Sequence, residues 1–154
     1  MAYLDIISLS EAKIYLRIDD DLSEDDAQIN RMIKGALSYV ERYTNYILFA
    51  KNKEYRLING CVTVYDYPIN SEVTADLDVE YKTLHTNYTL GTSNDLISLN
   101  VGYVDCDDIP QELIEVAYEI LELMYYEKET NKSHLNSLNS LSTMILNNYK
   151  RYII

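Results

Sequence analysis

The chain has 154 residues, of which 47% are hydrophobic, and carries a formal net charge of −12. This length fits one domain with a real core, and the hydrophobic content excludes an acidic disordered chain. A surface of this charge repels nucleic-acid phosphates and anionic lipids, which argues against sequence-independent DNA binding by the exterior of the protein.

The sequence shows no sign of secretion or of membrane insertion. Its N-terminus lacks a basic region and a long apolar run, so we expect no signal peptide. No window approaches 18 apolar residues, so we expect no membrane span. Cys61 and Cys106 stand far apart, without a CxxC pair or a Cys/His cluster. Two free thiols in a reducing cytoplasm are therefore expected.

The first helix signal is a capping box. Ser8 is followed three residues later by Glu11, which is the S-x-x-E pattern of a helix N-terminus. The pattern predicts a short helix over residues 9–16. At helical spacing Leu9, Ala12 and Leu16 share one face, which we expect to be buried.

An acidic stretch follows, with six acids in the eight positions 19–26. An EF-hand loop would need a glycine at its turn and a glutamate at its twelfth position, and this stretch has neither. Ser23 precedes three acids, which is typical of an N-cap with acids in the first helical turn. We therefore predict a helix over 24–45 that starts here, with a weak divalent-cation site as the alternative.

The middle of the chain changes to a strand-like pattern. Asn59-Gly60 separates the runs Tyr55–Ile58 and Cys61–Tyr65, and an Asn-Gly pair in such a position predicts a hairpin. Further strands are predicted at 77–84, 87–90 and 95–103, with turns at His85–Asn87 and Gly91–Asn94.

Helical patterns return near the end. Asp107 or Asp108 can cap a helix whose first turn holds Pro110, and a second pattern follows a polar stretch. The fold class predicted is mainly α with a small β insert. It is a compact bundle of about four helices (roughly 9–16, 24–45, 110–128 and 138–150) with a β-hairpin-containing region at 54–103.

No catalytic constellation is recognisable. His85 and His134 are the only histidines, and neither has a partner motif. Phosphate-binding, nucleophile-elbow and zinc-protease motifs are absent, and the chain has four glycines in all. We expect no catalytic residue, no metal site and no cofactor, and we expect that the protein is not an enzyme.

Charge divides the chain into two parts. Residues 1–129 hold 10 basic and all 25 acidic residues, whereas residues 130–154 hold three basic residues and no acid. We expect a single domain over 1–129, followed by a C-terminal loop and helix over 130–154. This tail could dock onto its own body, a neighbouring copy or an acidic partner, or it could be a solvated terminal helix.

The order of these elements resembles the gp6-like head-to-tail connector family of tailed bacteriophages. The resemblance spans nearly the whole chain through individually short motifs. The matching residues are Glu11-Ala12-Lys13 with Leu16-Arg17-Ile18-Asp19, Tyr39-Val40-Glu41 with Tyr43-Thr44, Gly102-Tyr103 with Ile109-Pro110, and Tyr149-Lys150-Arg151. One departure is Asn45, which stands where the family has a glycine at the end of the long helix.

The resemblance implies a structural virion protein that is made in the host cytoplasm and resides at the capsid–tail junction, without membrane contact. Such proteins form a ring, generally dodecameric, beneath the portal protein. A tail or stopper protein lies below the ring, and genomic DNA passes through its lumen without specific binding.

Within this resemblance, the C-terminal tail is the expected contact with the portal. Met144, Ile145, Tyr149 and Tyr152 would be its anchors, and Lys150 and Arg151 would meet acidic groups of the partner. The alternative function is an acidic helical binding module, either an adaptor for a basic partner or an inhibitor that mimics DNA.

Overall fold

A computed structural model describes residues 2–56, 64–70, 77–78, 85–86, 96–130 and 138–150 of the chain. In this part it contains five α-helices, one 3₁₀-helix and two small antiparallel strand pairs, which confirms a mainly α protein with a small β insert. The short first helix was not predicted. The helices are α1 (Tyr3–Ile6), α2 (Leu9–Leu16), α3 (Asp26–Thr44), the 3₁₀-helix (Cys106–Asp108), α4 (Gln111–Thr130) and α5 (Ser140–Tyr149).

The predicted capping box starts α2. The Ser8 hydroxyl accepts a hydrogen bond from the Glu11 amide at 3.2 Å, and the Glu11 carboxylate accepts one from the Ser8 amide at 2.9 Å. The helix ends at Arg17, whose backbone is left-handed with φ of 58°. Both ends of α2 are thus set by local chemistry, and the sequence indicated the N-terminal one.

The start of α3 differs from the prediction. The helix begins at Asp26, and its N-cap is Asp25, which makes no side-chain capping hydrogen bond. The prediction that Ser23 caps this helix is therefore wrong. The chain ahead of the helix is held by a tertiary contact instead of a local cap.

That contact is made by the buried ammonium group of Lys13. Its Nζ donates to the carbonyl oxygens of Asp20 at 3.1 Å and Leu22 at 2.7 Å, and it forms an ion pair with Asp26 at 2.6 Å. The acidic stretch therefore wraps around one internal cation. No group of three or more side chains suited to a metal ion occurs in the described part of the chain.

The core lies between α3 and α4, with α1, α2 and α5 packed around this pair. Helix α3 buries one apolar stripe along its length, and Ala27 in its first turn is exposed. The fully buried apolar residues of the two central helices are Ile29, Ile33, Ala36, Leu37, Val40, Leu113, Val116, Ala117, Ile120 and Leu121.

The β insert contains strands that are distant in sequence. Strand β1 (Lys51–Arg56) pairs antiparallel with β4 (Leu96–Val101), so that Lys51 lies opposite Val101 and Arg56 opposite Leu96. Strands β2 (Leu77–Asp78) and β3 (His85–Thr86) form a second pair. The predicted turn at His85–Asn87 is wrong for His85 and Thr86, because both residues belong to strand β3 and pair with β2. The predicted Asn59-Gly60 turn lies outside the described residues.

Three segments meet where the insert joins the helices. Gly102 has φ of +107°, and its amide donates to the carbonyl of Pro68 at 2.8 Å. A Cβ at this position would lie 2.3 Å from the carbonyl oxygen of Phe49. Only glycine fits, because both the left-handed backbone and the close approach exclude a side chain. The next amide, of Tyr103, donates to the carbonyl of Ile47 at 3.2 Å.

Glu41 connects α3 to two other segments through a buried carboxylate. It accepts hydrogen bonds from the Tyr3 hydroxyl at 2.5 Å and from the Leu48 amide at 2.8 Å. Burial and the contact with Glu41 raise the pKa of Tyr3 far above its usual range. Glu41 therefore fixes both α1 and the segment that leaves α3.

Among the described residues, no helix is long and apolar enough to cross a membrane. Cys106 is a free thiol whose Sγ lies 3.3 Å from the carbonyl oxygen of Asp5, and burial raises its pKa. Cys61 and His134 lie outside the described residues.

Candidate docking surface of the C-terminal helix

Helix α5 packs against the body of the protein. It begins after Asn139, whose side-chain oxygen accepts a hydrogen bond from the Ser142 amide at 2.7 Å. Leu146 is buried in the core, and Ile145 packs against the same cluster. The last helix is thus an integral part of the bundle in this structure.

Glu119 of α4 holds the N-terminal end of α5. Its carboxylate accepts hydrogen bonds from the backbone amide and the side-chain amide of Asn139, each at 2.9 Å. It also accepts a hydrogen bond from the Ser142 hydroxyl. A carboxylate at a helix N-terminus is favourable for the helix dipole as well.

Glu112 holds the opposite end. The Tyr149 hydroxyl donates to its carboxylate at 2.6 Å. This hydrogen bond and burial raise the pKa of Tyr149 to about 12. Tyr43 contributes from α3, since its hydroxyl donates to the Asn147 side chain at 2.7 Å and its ring lies 5.1 Å from the ammonium of Lys150.

The outward side of α5 carries two large apolar side chains among polar ones. Leu141 is 58% exposed and Met144 is 54% exposed. These residues are three positions apart, so they are neighbours on the helix surface. A pair of exposed apolar side chains on a firmly held helix is suited to protein contact.

The predicted docking residues differ in their exposure. Met144 is exposed, whereas Ile145, Tyr149 and Lys150 contact the body. Arg151 and Tyr152 lie outside the described residues.

Sequence reasoning missed three residues of this surface. Leu141 could have been found, because it stands one helical turn before Met144 and follows the same apolar pattern. Glu112 and Glu119 fit the helical pattern of polar residues that face water on α4. Their contacts with α5 could not be predicted, since no local pattern indicates which helix packs beside them.

A second surface feature lies between α2 and α4. A cleft of about 410 Å³ is lined by Tyr15, Leu16, Arg17, Glu122 and Tyr126. Its aromatic wall is extended by Tyr118, whose ring stacks on that of Tyr15 with 4.8 Å between the ring centroids. Burial raises the pKa of Tyr15, and the negative charges of Glu122, Glu115 and Glu119 add to this effect.

Comparisons with known proteins agree with this architecture. The family described as "Phage gp6-like head-tail connector protein" matches residues 6–153. No curated protein matches the chain. Its fold is similar to a chain of the virion of a native gene transfer agent (GTA) particle, with a TM-score of 0.71 and 15% identity over 97% of this chain and 92% of that chain. It is also similar to a chain of the neck of an empty GTA particle computed with C6 symmetry, with a TM-score of 0.68 and 14% identity over the same shares. The family match covers almost every residue, and the chain therefore belongs to the phage gp6-like head-tail connector family.

Proposed function

We propose that this connector forms a ring beneath the portal protein and joins it to a tail or stopper protein, with genomic DNA passing through the lumen. The observation that carries the proposal is the family match over residues 6–153, since a head-tail connector is a structural virion protein of the capsid–tail junction. No catalytic role is part of the proposal.

The similar neck chain supports a ring. That chain comes from a neck computed with C6 symmetry, and its fold covers 97% of the present chain. A sixfold axis relates copies in sets of six, so a ring of six copies or of two sets of six is compatible with it. A dodecamer, the expected assembly, is compatible with it.

The charge of the chain suits passage of DNA. A net charge of −12 on each copy gives the ring a strongly negative potential. DNA phosphates that meet few Lys or Arg side chains keep their bound salt cations. Little free energy is then gained by counterion release, so DNA has little affinity for the wall of the channel. We propose that DNA slides through the lumen without specific binding.

We further propose that residues 1–129 form the ring-building domain and that residues 130–154 dock onto the portal. Leu141 joins the expected contact residues, which are Met144, Ile145, Tyr149, Lys150, Arg151 and Tyr152. Glu112 and Glu119 hold α5 at both ends. This arrangement keeps the exposed Leu141–Met144 pair in a fixed position, which lowers the entropy cost of binding.

Electron microscopy of the purified protein, alone and mixed with the portal protein of the same particle, tests the ring. We expect rings with an open centre, at least in the presence of the portal. A protein that stays monomeric in both samples would contradict the proposal.

The docking surface needs a separate test. Truncation after Ser140 would remove the buried Leu146 and so damage the core. The variant Leu141→Asp/Met144→Asp changes only side chains that are more than half exposed. We expect it to remain folded and to lose portal binding. The matched control, Leu22→Asp/Val104→Asp, alters equally exposed apolar residues elsewhere and should bind normally. Equal binding by both variants would refute the docking surface.

The alternative of a DNA-mimicking inhibitor is less well supported. Such a protein presents regular rows of free carboxylates. Here Glu112 and Glu119 are bonded to α5, Glu41 is bonded to Tyr3, and Asp26 is paired with Lys13. These four acids therefore serve the fold itself.

A further inference from the structure

One side of α3 carries a row of exposed basic residues. Arg31, Lys34 and Arg42 lie on the same face at spacings of three and eight residues. They extend over eleven residues, or about 16 Å at 1.5 Å per residue. Among the residues that the structure describes, the ion pairs involve Lys13 and Lys53, and none involves this basic stripe.

One side of α4 carries the complementary chemistry. Glu115 is exposed, Glu122 is half-buried at the cleft, and Tyr126 is 45% exposed. We call these three residues, together with Tyr15 across the cleft, the acidic face. Arg17 is the basic residue that also lines the cleft. The acidic face also extends over eleven residues of helix, which is about 16 Å. The two surfaces therefore match in length, and the three cations of the basic stripe are opposite in charge to the two carboxylates of Glu115 and Glu122.

The two surfaces point in opposite directions. The buried residues of α3 and α4 face each other across the core. At 100° per residue, the basic stripe lies on the side of α3 opposite its buried residues. Glu115 and Glu122 lie in the same way opposite the buried residues of α4. One copy of the chain therefore cannot bring its own basic stripe to its own acidic face.

We propose that in the ring the basic stripe of one copy docks on the acidic face of the next copy. The inference rests on the proposed ring and names the surfaces that build it. The contact is heterologous, because two different surfaces of identical chains meet, and a heterologous contact can close into a ring. An arginine of the stripe enters the cleft, stacks between Tyr15 and Tyr126 and binds the Glu122 carboxylate.

Charge complementarity identifies a second copy as the occupant. Copies with a net charge of −12 repel each other at random orientations. When the basic stripe of one copy lies along the acidic face of another, opposite charges meet and the two copies attract each other. Only one alignment of the two helices brings all of these charges together. The same pattern would suppress non-specific aggregation of free subunits.

Charge reversal on each side tests the proposal. The first variant is Glu115→Lys/Glu122→Lys, and the second is Arg31→Glu/Lys34→Glu/Arg42→Glu. The readout is ring yield by native mass spectrometry and electron microscopy, alone and on the portal, with circular dichroism to verify folding. We expect each variant to lose ring yield by about tenfold or more, since like charges then meet at the interface.

An equimolar mixture of the two variants should restore rings, because every contact then joins opposite charges again. The control Glu54→Lys/Asp105→Lys makes the same change of net charge as the first variant, at exposed acids outside both surfaces, and should assemble like the original protein. If the original protein forms rings and both reversed variants do so equally well, this inference fails and the connector function stands. If the original protein forms no ring even on the portal, both fail.

Discussion

Replacement of Lys13 by methionine tests the tertiary contact that organises the acidic stretch. Methionine keeps most of the aliphatic stem and removes the ammonium group. The change breaks the hydrogen bonds to the carbonyls of Asp20 and Leu22 and leaves the Asp26 carboxylate without its cation. The acids at 19–26 then repel each other without an internal counter-charge.

The expected cost follows from the burial of the pair. The Lys13 side chain is 4% exposed and that of Asp26 is 30% exposed. Breaking a fully buried pair costs about 3–5 kcal/mol, and water at Asp26 reduces this value. We therefore expect a loss of about 2–4 kcal/mol in the free energy of unfolding. For a chain of this size, 3 kcal/mol lowers Tm by about 6–12 °C.

Urea and thermal unfolding of the purified variant measure this cost. Lys34→Met is the matched control, because Lys34 is exposed on α3, and its effect should stay within about 0.5 kcal/mol. A double-mutant cycle of Lys13→Met with Asp26→Asn should give a coupling energy of about 1 kcal/mol or more. Equal stability of the Lys13 and Lys34 variants would refute the reasoning.

Three further predictions concern single residues. Gly102→Ala should cost about 2–4 kcal/mol in urea unfolding, because its Cβ would meet a carbonyl oxygen at 2.3 Å. The control Gly35→Ala should be neutral or stabilising by up to about 1 kcal/mol, since its Cβ meets only a flexible side chain at 3.6 Å. Ser8→Ala should cost about 1 kcal/mol through loss of the capping box, and an unchanged Tm would contradict that role. The Tyr149 hydroxyl can donate its hydrogen bond to Glu112 of α4 only while it is protonated. Because its pKa is raised to about 12, its contribution to the free energy of unfolding is complete below pH 10 and is lost as the pH rises toward 12. Unfolding measured from pH 9 to 12 should therefore show a shallower loss of stability for Tyr149→Phe than for the original protein.

Local chemistry explains why much of the fold could be predicted. The capping box at Ser8 and the apolar periods of α3 and α4 depend on residues within a few positions of each other. The predicted helix bounds therefore lie within about two residues of the observed ones, as is usual for helix ends. The strand at 95–103 was likewise confirmed as Leu96–Val101.

Contacts between distant segments explain the failures. The partner of β1 is β4, and the register of that pair cannot be deduced from either strand alone. The ammonium of Lys13 displaces the start of α3 from the position that a local Ser23 cap would give. The contacts of Glu119 and Glu112 with α5 are a third case. The spacing of these two residues along α4 indicates exposure to water, but in the structure they accept hydrogen bonds from the neighbouring helix.

Cryo-electron microscopy of the neck of the phage particle tests the central claim most directly. We expect a ring of this chain between the portal and the tail, with DNA or an open channel on its axis. In that ring the basic stripe of each copy should contact the acidic face of the next copy, and α5 should lie toward the portal. A neck without this chain, or one in which it occurs as an isolated copy, would contradict the account.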